Sequence, residues 1–166
     1  MGTPGVRSAV LGGVDTVEHA YNIDDDTLEL IIERGTFLVP TLRARAFRTS
    51  AEDRRTYKAQ VRSLRQAYDA GARIALGTDT TGGSEMPHGH ENAVEFSLMA
   101  ETMNPADALL AGTRVAALGL ESEVGTVEPG KAADLVAVRD NPLNRIESLQ
   151  HIEFVMQGGQ VILSPQ

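Results

Sequence analysis

Short apolar runs alternate with helical patterns over the first half of the chain. Strands are predicted at Val14 to Glu18, at Thr36 to Val39 and at Ile74 to Asp79. The first intervening segment begins with the acidic residues 24–26, which suit a helix N-cap and first turn, and the second predicts a charged helix from Ala51 to Ala70. The resulting order, β-α-β-α-β, favours a parallel sheet with right-handed crossover connections.

The second half of the chain changes in character. Helices are predicted at Glu91 to Thr102 and at Pro105 to Leu118, the second of them capped by Asn104. From Gly125 onwards short apolar strands dominate, and Gly158-Gly159 between two of them indicates a hairpin. We therefore predict a domain boundary near residues 119–124.

Composition and charge exclude several classes of function. The chain has 166 residues, 42% of them hydrophobic and 23% charged, which is typical of a globular domain. A net charge of −8 argues against a nucleic-acid partner. No apolar run approaches the roughly 20 residues that span a bilayer, so we expect no membrane partner. The lack of cysteine and of a signal-peptide pattern at the N-terminus leads us to expect a cytoplasmic protein.

The candidate chemistry lies at the ends of the predicted strands. His19 follows the first strand and Asp79 ends the third, and the carboxyl ends of parallel strands are where sites are built. An imidazole and a carboxylate suit a divalent metal, and the carboxylate can also act as a general base. The alternatives are a packed histidine and a helix-capping aspartate. Two ligands are in any case too few for a protein zinc site.

The third strand carries a second pattern. Ile74 and Leu76 fall on one face, whereas Ala75, Gly77 and Asp79 fall on the other, which predicts a crowded interior lined by small residues. His88, in the loop after this strand, is a candidate for substrate contact or an exposed loop residue.

Several segments, in order, resemble the C-terminal part of the amidohydrolase superfamily, in its imidazolonepropionase-like and prolidase-like dipeptidase branch. The first half carries Gly13 to His19, Gly35 to Leu42 and Ala75 to Asp79, followed by Pro87 to Asn92. The second half carries Asn104 to Leu109, Gly125 to Leu135, Asn141 to Leu143 and Val155 to Gly159. Each motif is weak alone, but the combination is specific and covers almost the whole chain.

The resemblance implies a fold and a chemistry. The fold would be α/β: a partial (β/α)₈ barrel contributing strands six to eight over residues 1–120, and part of a small β-sandwich over residues 121–166. His19 would be a metal ligand, and Asp79 would bind the metal, expected to be zinc, and take the proton from the attacking water. His88 would touch a small amide or dipeptide substrate. The chain would belong to a hydrolase of C–N bonds.

The same resemblance implies that the site is incomplete. The family's His-x-His, its lysine on the fourth strand and its histidine on the fifth have no counterpart here, so we expect the chain alone to be inactive. It would need the missing N-terminal half of the barrel or self-association, and open sheet edges would make it marginally stable. The alternatives are a non-catalytic truncated remnant, a partner-dependent subunit, or a small α/β domain that binds a ligand without chemistry.

Overall fold

The computed structural model describes residues 2–84, 86–117 and 123–165 of the chain. These residues form two compact units, of which the first extends to Thr81 and the second begins at Gly82. Each unit contains helices and strands, which confirms the α/β class. The domain boundary predicted from sequence, between residues 120 and 121, lies outside the described residues and stays a prediction.

The first unit alternates helices and strands in the predicted order. Its elements are α1 (Thr3–Leu11), β1 (Thr16–Glu18), α2 (Asp25–Arg34), β2 (Phe37–Val39), α3 (Arg43–Ala46) and α4 (Ala51–Asp69). Strands β1 and β2 pair in parallel, with Val17 opposite Leu38. The one-turn helix α3 lies between β2 and α4, in a stretch where no helix was predicted. It follows Leu42, whose side chain is fully buried and anchors the turn to the core.

The ends of helix α2 confirm the capping pattern. The Asp24 carboxylate accepts a hydrogen bond from the Thr27 backbone N–H at 2.9 Å, which satisfies one of the free donors of the first turn. Gly35 closes the helix with a φ of 65°, a left-handed conformation that glycine adopts without steric cost. Local sequence therefore fixes where the chain leaves the helix and enters β2.

The third predicted strand, Ile74 to Asp79, is much shorter than predicted. It pairs with β2 through a single parallel bridge between Leu38 and Ile74. The Leu38 N–H donates to the Arg73 carbonyl at 2.8 Å and the Ala75 N–H donates to the Leu38 carbonyl at 3.0 Å. The next bond of a parallel ladder would need an N–H at Pro40, and proline has none. The ladder therefore stops, although the chain continues beside β2.

The core of the first unit is aliphatic. Its most buried side chains come from every helix and strand around the sheet except α3: Val6, Val10, Val17, Ile31, Leu38, Leu64 and Ala67. Helix α4 buries one face at helical spacing, and that face includes two polar residues, Gln60 and Ser63, at 1% and 2% exposure. A buried polar residue requires a hydrogen-bond partner, and both have one: Ser63 Oγ accepts from the Ile23 N–H and Gln60 Nε2 donates to the Pro40 carbonyl, each at 3.3 Å.

The second unit combines short helices with an antiparallel sheet. A 3₁₀ turn at His90–Ala93 leads into α5 (Val94–Ala100), and the unit continues with α6 (Pro105–Ala111), β3 (Leu135–Val138), a 3₁₀ segment at Ile146–Gln150, β4 (Ile152–Gln157) and β5 (Gln160–Leu163). The sheet order is β3-β4-β5. Gly158 and Gly159 form the two-residue connection of β4 and β5, which confirms the predicted hairpin.

Helix α6 ends earlier than the sequence predicted. Asn104 caps it as expected, accepting from the Ala106 N–H at 2.8 Å. The helix stops at Ala111 rather than reaching Leu118, because Gly112 follows and has a poor helix propensity. Position 118 itself lies outside the described residues. Within the described ranges, no helix combines the length and apolar character needed to cross a membrane.

Candidate metal-binding site at the strand ends

Backbone strain marks the carboxyl ends of the first unit's strands. His19 after β1, Thr41 after β2 and Asp79 at the end of the third segment have φ values of 63°, 49° and 52°. Left-handed conformations cost non-glycine residues roughly 1–3 kcal/mol each and persist only where the surroundings enforce them. Three such residues at equivalent places point to a functional site rather than to ordinary loops.

Two side chains with metal-ligand chemistry meet at this edge. His19 Nε2 lies 3.9 Å from Asp79 Oδ2, with the two side chains 41% and 54% exposed. In a tetrahedral site with zinc about 2.0–2.2 Å from each donor, two ligands of one ion lie about 3.4 Å apart. The two donors have the chemistry of metal ligands and lie about 0.5 Å further apart than a shared ion would hold them. The structure brings together the two residues that the sequence singled out.

Two donors alone do not make a zinc site. Across residues 2–84, 86–117 and 123–165, no cluster of three or more His, Asp or Glu side chains could hold a metal ion. A protein zinc site needs at least three protein ligands. His19 and Asp79 by themselves therefore fall short of such a site.

A hydroxyl lies on the other side of the His19 ring. Thr41 Oγ1 is 2.6 Å from His19 Nδ1 and donates to the Pro40 carbonyl at 2.7 Å. Thr41 is only 2% exposed, so water does not compete for this hydroxyl. Thr41 was not predicted as a site residue. The signal for it was its place two residues after the end of β2, at the sheet edge where His19 directly follows β1.

Gln60 supports the same strand ends from helix α4. Its Nε2 donates to the Pro40 carbonyl at 3.3 Å and lies 3.5 Å from the His19 carbonyl. The amide therefore bridges the backbone at the end of β1 and the end of β2. A glutamine on the apolar face of a helix is unusual, and that pattern could have identified it from sequence.

The close approach of the third segment depends on a glycine. A Cβ added at Gly77 would lie 2.6 Å from Val39 Cγ1, which is inside the contact distance of two carbon atoms. The crowded interior predicted from the small residues of this segment is therefore confirmed at Gly77. The absence of a side chain there lets the segment run beside β2 up to Asp79.

His88 belongs to the second unit and is exposed. Its ring packs against Gly82, where an added Cβ would lie 2.6 Å from His88 Nε2. The Gly82 N–H donates to the Met86 carbonyl and the Met86 N–H to the Gly83 carbonyl, both at 3.0 Å, so the loop before His88 is closed on itself. A substrate contact by His88 stays a prediction.

Comparison with known proteins identifies relatives over nearly the full chain. Residues 2–163 match the sequence profile of the amidohydrolase family. The chain is 27% identical to ochratoxinase of Aspergillus niger over 181 aligned positions, which cover 99% of this chain and 37% of that protein. It is 29% identical to imidazolonepropionase of Geobacillus thermodenitrificans, with 96% of this chain and 37% of that protein covered.

Solved structures agree with these sequence matches. A crystal structure of a Xaa-Pro dipeptidase with methionine bound in its active site superposes with a TM-score of 0.87 and 31% identity, covering 98% of this chain and 43% of that one. The crystal structure of the A. niger ochratoxinase superposes with a TM-score of 0.82 and 29% identity, covering 96% and 39%. The chain thus spans less than half the length of these relatives.

Proposed function

The chain belongs to the amidohydrolase family, and from that premise we propose that it forms the C-terminal part of a metal-dependent hydrolase of C–N bonds. The substrates we propose are small amides or dipeptides. Members of the family are generally metal-dependent, and we propose zinc as the metal. The observation that carries the proposal is the 3.9 Å separation of His19 Nε2 and Asp79 Oδ2 at the strand ends.

Each residue has a distinct role in this proposal. When bound, the metal ion supplies Lewis-acid activation of water and of the scissile carbonyl. His19 holds the metal through Nε2. Asp79 Oδ2 holds it as well, and the carboxylate accepts the proton of the attacking water, for which its 54% exposure leaves room. His88, carried by the closed loop after Gly82, would contact the substrate.

We propose that the remaining ligands come from outside this chain. We also propose that residues 1–120 supply strands six to eight of a (β/α)₈ barrel and that residues 121–166 supply part of a β-sandwich. The parallel pairing of β1 with β2 and the single bridge to Ile74 support the first assignment. The antiparallel order β3-β4-β5 supports the second.

The surface of the second unit supports the need for a further segment or a second copy. Within the described residues, strand β5 pairs only with β4, and its side chains at Val161, Ile162 and Leu163 are 53%, 63% and 44% exposed. An open edge with apolar side chains favours association. We propose either the N-terminal part of a longer protein or self-association as the partner.

A chimera tests the catalytic proposal. The part of the Xaa-Pro dipeptidase that precedes the matched region would be joined to this chain, loaded with zinc and assayed against Xaa-Pro dipeptides and N-acyl amino acids. We expect hydrolysis that Asp79→Asn lowers by at least about 10²-fold, the usual scale of general-base loss. Asp69→Asn, an exposed acid on helix α4, is the matched control and should hydrolyse like the parent.

Two results would contradict the proposal. A folded, zinc-loaded chimera that binds these substrates without hydrolysing any of them would favour a ligand-binding domain without chemistry. Hydrolysis that is unchanged in Asp79→Asn would remove Asp79 from the mechanism.

A further inference from the structure

The hydrogen bonds of Thr41 determine where its proton lies. Its Oγ1 is 2.7 Å from the Pro40 carbonyl oxygen and 2.6 Å from His19 Nδ1. A hydroxyl has one proton to donate, and a carbonyl oxygen has none. Two oxygens 2.7 Å apart repel each other unless a proton lies between them, so the Thr41 proton lies on the Pro40 side. The remaining contact, to His19, must then use a proton of the imidazole.

That assignment fixes the tautomer of His19. Because Thr41 Oγ1 accepts from the ring, Nδ1 carries the hydrogen, and the neutral ring has its lone pair on Nε2. Nε2 is the atom that lies 3.9 Å from Asp79 Oδ2. A lone pair and a carboxylate oxygen cannot hydrogen bond to each other, whereas both are ligands for a cation.

Gln60 holds the acceptor in place. Its Nε2 reaches the Pro40 carbonyl at 3.3 Å and the His19 carbonyl at 3.5 Å, while its buried Oε1 has no hydrogen-bond partner among the residues that the structure describes. The opposite orientation of the amide would set Oε1 against two carbonyl oxygens, so the observed one is the stable one. The Pro40 carbonyl thus accepts from Thr41 and Gln60 together, which uses both of its lone pairs.

We propose that Thr41 is a positioning residue that locks His19 as the Nδ1–H tautomer and so presents Nε2 to a divalent cation shared with Asp79. The use of this nitrogen by a metal rests on the proposed function, but the tautomer itself does not. Hydrogen-bond partners of metal-binding histidines set the tautomer and ring orientation, and their loss typically weakens metal affinity about 10–100-fold. Because Thr41 is 2% exposed, no solvent molecule can replace its hydroxyl.

Nitrogen NMR of the metal-free 166-residue chain tests the tautomer directly. The His19 ring would be observed at about pH 8, above the titration of a free imidazole, in the parent and in Thr41→Val, Thr41→Ser and Gln60→Leu. Valine keeps the shape and β-branching of threonine without the hydroxyl, and serine restores the hydroxyl. We expect Nδ1–H in the parent, in Thr41→Ser and in Gln60→Leu, and Nε2–H or a mixture in Thr41→Val.

The consequence for metal binding is measured by calorimetry on the chimera described above, which supplies the remaining ligands, with the same substitutions. We expect Thr41→Val to weaken zinc binding by about tenfold or more and Thr41→Ser to recover most of it. An Nε2–H ring in the parent chain, or a Thr41→Val chain that keeps the Nδ1–H tautomer as fully as the parent, would overturn the inference. An Nδ1–H ring together with a chimera whose zinc binding survives His19→Ala would leave the tautomer standing and overturn the proposed function instead.

Discussion

Replacing Gly77 with alanine should destabilise the first unit and disturb the site together. The new methyl group would lie 2.6 Å from Val39 Cγ1, about 1 Å inside the optimal separation of two carbon atoms. Val39 cannot move away easily, because it is 7% exposed, branched at Cβ and held in the β1–β2 ladder. One of the two chains must therefore shift.

The expected change in the free energy of unfolding is the difference between a destabilising and a stabilising effect. Overpacking a buried contact costs about 1–3 kcal/mol. Replacing glycine also restricts the unfolded chain, which returns about 0.4–1 kcal/mol. We expect a net loss of about 1–2 kcal/mol in the free energy of unfolding. Zinc binding should weaken as well, because Asp79 lies two residues further along the displaced segment.

Urea unfolding of four proteins tests this reasoning: the parent, Gly77→Ala, Val39→Ala and the double variant. Val39→Ala removes the methyl group that clashes, so the double variant should lose less than the sum of the two single losses, by about 1–2 kcal/mol. Full additivity, or a Gly77→Ala protein as stable as the parent, would show that the close approach of the two segments is not a constraint.

Two further predictions concern a helix cap and the His88 loop. Hydrogen bonding from Thr27 lowers the pKa of Asp24, so its stabilising contribution is present above about pH 3.9 and is lost as the pH falls through the lowered pKa. Asp24→Asn should therefore show a smaller fall in melting temperature on acidification than the parent, and an equal fall would contradict the cap. Gly82→Ala should shift the NMR signals of the His88 ring, because the new Cβ would lie 2.6 Å from Nε2. Gly130→Ala is the matched control, since Gly130 has a positive φ of 91° with nothing within 4 Å of an added Cβ, and equal shifts in both variants would argue against the contact.

Local signals in the sequence predicted much of the fold. The Asp24 cap and the two-glycine hairpin each depend on residues a few positions apart, and each is present in the structure. The short third segment could also have been predicted, because Pro40 lacks the N–H that the ladder needs next. The predicted length of α6 was wrong. Apolar residues continue at helical spacing after Gly112, but the helix ends before this glycine.

The site was predictable only in part, for a physical reason. His19 and Asp79 were found because each ends an apolar strand, and the register of a parallel sheet brings such ends together. Thr41 and Gln60 act through contacts that link positions 22 and 41 residues away in sequence. A local pattern can mark such a residue, as the glutamine on the apolar face of α4 does, but its partners depend on the packing of α4 against the sheet and on backbone strain at the strand ends.

A zinc-binding cycle tests the central claim, that His19 and Asp79 share one cation. Calorimetric titration of the chimera that supplies the remaining ligands would compare the parent with His19→Ala, Asp79→Ala and the double variant, using His151→Ala as the control histidine. We expect each single substitution to weaken zinc binding at least about tenfold, or about 1.4 kcal/mol. The double variant should bind zinc only slightly more weakly than either single variant, because one substitution already disrupts the site that the two residues share. Losses that simply add, or zinc binding that survives both substitutions, would contradict the shared site.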